Sequence, residues 1–270
     1  MVELAGLLDK MLAIARRDLL TAIRYRVGFF IGAAGALAEL AAFYYLSRAV
    51  GPGFRPDGVE YFPFLIVGTG FYTFLVMGIN AFLQIVQEAQ QTGTLEVLMT
   101  TSTPAPVLIF LSAMSAFAGN TVQLLFYLGG GLLLAGALPQ SPNIAGCIVI
   151  FGLSLVIALA IGILAAALQL AIQKGSALVW LLGSGIWFMT GTLFPVTTLP
   201  KPLQVLAHLI PITHSLAGMR LALLQGAAFS LLASEIAILA FFSCILLPTS
   251  LVIFSYTLRR ARLEGTLSFY

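Results

Sequence analysis

Of the 270 residues, 60% are hydrophobic and only 9% charged, where an ordinary soluble domain has roughly 45–50% apolar and about 25% charged side chains. Thirteen Lys+Arg and ten Asp+Glu cannot cover the surface of a chain this long, which excludes a soluble enzyme and makes the bilayer the solvent for most of it. A net charge of +3, with no Lys/Arg cluster interleaved with aromatics, argues against a nucleic-acid partner.

Residues 1–26 place Leu4, Leu8, Met11, Ala15 and Leu19 on one helical face while Lys10, Arg17 and Arg24 recur on another, the pattern of an amphipathic helix lying in the membrane interface. This stretch is too long and too charged for the n-region of a cleavable signal, and a run of spanning length follows it, so the whole chain is read as mature protein. At about 20 residues per crossing plus connections, residues 27–258 fit six transmembrane helices. The first covers 27–47, with Gly28 and Gly32 in G-x-x-x-G spacing, and a turn-rich loop carries the chain to a second span at 61–86. Residues 87–103 are polar, and no charge occurs between Val97 and Gln173. Pro139 and Pro142 divide that run into spans at 106–137 and 144–172, both longer than a crossing needs, so that tilt or a break near Gly129–Gly131 is expected.

A fifth span is read at 177–193 and a sixth at 232–258, with 259–270 as a cytoplasmic tail. The connection 194–231 is too long and apolar for an ordinary loop, and Pro195, Pro200, Pro202 and Pro211 subdivide it. Pro202 suits the first turn of a short helix ending before Pro211; Thr213 suits the cap of a second that Gly226 ends. Both are read as dipping into the outer leaflet, where non-helical backbone must be buried in protein or line a wet cavity. Nine of the thirteen Lys and Arg fall on one side of this plan, which places both termini in the cytoplasm of a multi-pass cell-membrane protein. The 87–103 loop is the exception: it lies inside, yet carries Glu88 and Glu96 and no basic residue.

Two stretches resemble the type-2 ATP-binding cassette permease family, the membrane subunits of exporters whose ATPase is a separate chain or domain. The first, from Glu88 through Gly93, Thr94, Leu95 and Glu96 to Pro104, is similar to the family's G-T-L-E followed by a T-P step. The second, from Gly191 through Phe194, Pro195 and Pro200 to Pro211, His214, Arg220 and Gly226, is similar to the signature between the last two spans. The resemblance implies an all-α integral membrane protein with an elbow helix at 1–26, a coupling helix at 87–103 docking on the ATPase, and re-entrant helices in 194–231. It implies a second permease copy and two ATPase subunits. The chain has no G-x-x-x-x-G-K-[ST] loop, so ATP and Mg would be bound by the partner and catalysis would belong there.

On this reading Gln87, Glu88, Gly93, Thr94, Leu95 and Glu96 form the coupling contact, the two carboxylates meeting basic residues of the ATPase. Glu39, in mid-span, costs a few kcal/mol if ionised toward lipid; it lines the transport path or a cation or proton site, or is a protonated Glu bonded at a helix interface. Thr69, Thr73, Asn80, Gln84, Gln87 and Gln91 share one face of the second span, and Asn120 and Gln123 sit mid-way along the third; these line a path or join helices by hydrogen bonds. Phe43, Tyr44, Tyr45, Tyr61, Phe62, Phe64, Phe71 and Tyr72 read as an interfacial aromatic belt or as a stacking surface for a sugar or flat amphiphile. His214 and Arg220 hold an anionic head group, snorkel, or cap a helix.

Cys147 and Cys244 lie in apolar runs and read as free thiols, with no metal or cofactor site. The competing class is an intramembrane hydrolase, but Ser184 follows Gly183 with Leu at position 181, and His208 and His214 match no metal-binding spacing. A channel or purely structural protein would leave the Gly93 to Pro104 pattern without a purpose. The expected substrate is lipophilic or amphipathic because the outer loops are short and apolar; a lipid-linked polysaccharide is the second reading.

Overall fold

The computed structural model describes residues 26–93, 105–136, 141–172 and 185–264, together with Arg16, and every regular element among them is helical. In chain order these are α1 (Arg26–Val50), α2 (Tyr61–Gln91), α3 (Ala105–Ala135), α4 (Ile144–Ile172), α5 (Lys201–His208), α6 (Pro211–Leu223) and α7 (Phe229–Glu264). Five of them, α1, α2, α3, α4 and α7, are long and apolar enough to cross a membrane. The expected elbow helix apart from Arg16 and Arg26, residues 94–103 of the coupling segment and residues 177–184 of the fifth span lie outside the described residues.

One helix runs past the end read in the sequence, and another is unbroken where the reading left tilt or a break open. The second span continues past Val86 to Gln91, so Gln87 and Glu88 ride on the last turns of α2 instead of opening a separate coupling helix. Its end is set by Thr92, whose N–H and hydroxyl both reach the Glu88 carbonyl at 2.9 and 2.7 Å, and by Gly93 at φ +67, the left-handed residue that closes a helix C-terminus. α3 passes through Gly129–Gly131 without a break. Gly131 is there for packing: a Cβ on it would meet Ile66 of α2 and Leu40 of α1 at 2.8 and 3.1 Å, so its missing side chain seats three helices together.

α2 is the central helix, packed against α3, α4 and α6. Because protein surrounds it, its aromatic residues are not at a lipid boundary. Phe62, Phe64, Phe71 and Tyr72 are buried, which corrects the belt reading for these four; Phe74 stacks on Phe151 of α4 at 5.1 Å and meets Phe117 of α3 edge-on at 5.8 Å. Tyr45 does stand exposed. Small residues set the spacing: Gly78 lies against the Phe117 ring and Gly162 of α4 against Phe82, the close approach that drives helix association where lipid offers no hydrophobic gain.

The two short helices follow the proline punctuation. Pro202 occupies the first turn of α5 and Pro211 that of α6. Thr213 is not the cap of α6: with the fixed φ of Pro211 the helix starts earlier, and Ile210 is the cap residue. The Thr213 hydroxyl instead donates to the Ala207 carbonyl at 2.7 Å, tying α6 to α5. Asn143 does cap α4, accepting from Gly146 N–H at 2.9 Å while its amide donates to the Ala227 carbonyl at 2.8 Å. That joins the start of α4 to the α6–α7 turn, where Gly226 at φ +60 abuts the Ser141 carbonyl.

Candidate functional site

α1 leans on the bundle through few contacts, and Gly32, Gly35 and Ala36 on its inner side leave space. The result is a cavity of about 220 Å³ between α1, α2 and α3, lined by Glu39, Thr73, Phe74, Met77, Asn120, Gln123 and Tyr127 among others. Glu39, Asn120 and Gln123, separated by eighty residues of chain, are thus brought together, whereas Asn80 and Gln84 lie further along α2 and do not line this cavity. Tyr127 is the residue the sequence reading missed. It stands in register with Asn120 and Gln123, at i, i+3 and i+7 on one face of α3, and that periodicity was its signal.

Glu39 is half-buried and its carboxyl is hydrogen-bonded to Tyr127. The Tyr127 hydroxyl also lies 3.2 Å from Thr69 Oγ1, and Thr69 donates its own proton to the Leu65 carbonyl at 2.7 Å. Thr69 therefore has no proton left for the tyrosine. The 3.2 Å contact is long for O–H···O, so the single Tyr127 proton is best placed on the carboxylate. The polar stripe of α2 consequently divides: Thr69 is buried with its hydroxyl on a carbonyl of its own helix, while Thr73, Gln84 and Gln91 are exposed.

At the other polar centre, Arg220 of α6 is 6% exposed. Its Nη1 donates to the Gly191 carbonyl at 2.8 Å, its Nη2 to Thr192 at 2.9 Å and to Phe64 at 3.2 Å, and its Nε to Phe64 at 3.3 Å. The guanidinium carbon lies 3.5 Å from the centre of the Phe64 ring. Gly68 makes this possible, because a Cβ there would overlap Nη2. Burial draws the Arg220 pKa down to about 9, opposed by Asp57, so the group is still a cation at neutral pH. It neither snorkels nor holds a head group; it fastens the 190–192 turn and α2 to α6.

His214 is also buried. Its Nε2 lies 2.9 Å from the His208 carbonyl and its Nδ1 2.7 Å from Glu235 Oε2 of α7. A carbonyl only accepts, so Nε2 carries a proton, and an imidazolium donates from both nitrogens. The Glu235 hydrogen bond raises the His214 pKa above its ordinary 6.5, ahead of the opposing effect of burial. The stabilisation from a raised histidine is complete below the unfolded pKa and is lost as pH rises through the folded one. The melting temperature is therefore expected to fall as the pH rises from about 6 to about 8, and a His214→Gln variant to show a flatter profile in a thermal scan across that range. Phe194, Pro195 and Pro200 shape the turn before α5, where Thr198 N–H reaches the Pro195 carbonyl at 3.0 Å.

A second cavity of about 520 Å³ opens near the α1–α2 loop, lined by Tyr44, Arg48, Phe54, Arg55, Glu60 and Tyr61 among others. Arg48 lies over the Tyr44 ring at 5.2 Å and donates to its hydroxyl at 2.7 Å. At the opposite end of α2, Glu88 is exposed and Gln87 half-buried, and Gln90 meets Gln169 of α4 at 3.4 Å. Thr94, Leu95 and Glu96 lie outside the described residues. Among the described residues, no group of three His, Cys, Asp or Glu is placed to hold a metal ion.

No curated protein matches the chain. The family pattern for ABC-2 type transporters does, over residues 10–224, a range holding α1 to α6, the Glu39 cavity and the Arg220 clamp. With five helices long and apolar enough to cross a membrane and a match over most of its length, the chain belongs to the ABC-2 type transporter family, as a multi-pass membrane permease subunit.

Proposed function

We propose that this permease is the membrane half of an exporter that moves a lipophilic or amphipathic substrate out of the cytoplasm or inner leaflet of the cell membrane. A second permease copy completes the path, and two ATP-binding subunits supply ATP and Mg and do the hydrolysis. Both termini lie in the cytoplasm, residues 87–103 receive the push of the ATPase, and 194–231 close the outer side. The observation that carries the reading is the cavity beside Glu39: polar groups from three spanning helices gathered in mid-span next to lipid-facing apolar surface. Such groups are costly in a bilayer unless a substrate or a water-filled path uses them.

Glu88 and Glu96 then serve as the acidic contact for the ATPase. Glu96→Arg is expected to abolish co-purification with the cognate ATP-binding subunit, or to lower transport-linked ATP hydrolysis roughly tenfold or more, since reversing one partner of an interfacial charge pair costs several kcal/mol. Unchanged assembly and hydrolysis would remove the coupling role. One observation favours the second substrate class: the 520 Å³ cavity sets the Tyr44, Phe54 and Tyr61 rings beside Arg48 and Arg55, a combination suited to the sugar faces and phosphate of a lipid-linked polysaccharide.

A further inference from the structure

We infer that the cavity between α1, α2 and α3 receives the cationic head of an amphipathic amine or quaternary ammonium compound, with Glu39 as its counter-charge. This deepens the export reading and rests on it for the direction of transport. The first argument is charge balance. Glu39 is the one charged residue lining the cavity; the other polar lining groups are neutral hydroxyls and amides. The His214–Glu235 ion pair lies elsewhere in the bundle. A carboxylate has about four lone-pair sites, and Tyr127 uses one of them.

The second argument is the lining. Phe74 and Tyr127 supply aromatic surface, Met77 a polarisable thioether, and Asn120 and Gln123 amide groups whose carbonyl dipoles can face a cation. Aromatic faces and carboxylates are what recognise ammonium heads, whereas an anionic head would be repelled by Glu39 and a neutral one would leave it uncompensated. The third argument is the shape of the surroundings. Leu37 of α1 and Val122 and Leu125 of α3 are exposed apolar side chains on the helices that flank the cavity, so an acyl or aryl tail can lie along the lipid-facing surface while the head enters from the side. About 220 Å³ is room enough for an arylammonium head.

The test uses the full chain in lipid nanodiscs and equilibrium dialysis of radiolabelled phenyltrimethylammonium, a fixed cation that cannot lend or take a proton. Saturable binding near one per chain is expected, with no competition from tert-butylbenzene, its neutral isostere. Glu39→Gln, which keeps shape and hydrogen bonding but removes the charge, is expected to weaken binding roughly tenfold or more, and Asn120→Leu to weaken it less. Absence of saturable binding, equal competition by tert-butylbenzene, or wild-type affinity in a folded Glu39→Gln protein would each overturn the assignment. The last outcome leaves Glu39 as a protonated interhelical hydrogen-bonding group. Co-purification with the ATP-binding subunit is read separately: its failure in the wild type counts against export, while intact association without charge-dependent binding counts against the cation site alone.

Discussion

Arg220→Ala is expected to lower the stability of the protein by roughly 3–5 kcal/mol, the range for removing one partner of a buried charged network. The guanidinium donates to carbonyls of Phe64, Gly191 and Thr192 and packs on the Phe64 ring. Alanine leaves these three acceptors facing an emptied notch beside Gly68. In a chain of this size that corresponds to a melting temperature lower by about 10 °C, read by fluorescence size exclusion after heating. Arg220→Lys is expected to recover little, because a single ammonium cannot span a turn on one side and α2 on the other as a planar fork does. A melting temperature within about 2 °C of wild type for Arg220→Ala would show that the clamp does not hold the bundle.

The second large effect concerns helix approach. A Cβ at Gly78 would coincide with the ring of Phe117, and that ring is held from another side by Phe74 at 5.8 Å. Gly78→Val is therefore expected to cost about 2–3 kcal/mol through overpacking, forcing α3 away from α2 and widening the Glu39 cavity. Combining it with Phe117→Leu is expected to recover at least about 1 kcal/mol of that loss in a double-mutant cycle. Additive effects of the two substitutions would mean that Gly78 matters for reasons other than the Phe117 contact.

Much of the helical plan was legible because lipid enforces it. With no water in the bilayer core the backbone must satisfy itself within helices, so apolar runs and the residues that interrupt them mark the ends closely: 144–172 read from sequence is also the observed extent of α4. Prolines 202 and 211 placed the two short helices for the same reason. What a single sequence does not carry is which face of each helix meets protein. Hydropathy treats the aromatic residues of α2 alike whether they contact lipid or Phe151, so Phe71 and Tyr72 read as a belt although they are core. Glu39, Asn120 and Gln123 stood out individually as polar groups in apolar spans, but their meeting across α1 and α3 depends on tertiary packing. Arg220 was legible as unusual and not as a clamp, since its partners are backbone carbonyls that leave no trace in side-chain identity.

The Arg220 clamp also constrains how the chain is made. Phe64 and Arg220 are 156 residues apart, so during synthesis α2 is complete long before the group that occupies its Gly68 notch emerges from the ribosome. Until then the early helices hold an unfilled polar recess, and a nascent chain stopped before α6 has no residue to fill it. Long-range closure of this kind comes late and slows assembly. The seam between α2 and α6 is thus closed only by a residue from the C-terminal third of the chain.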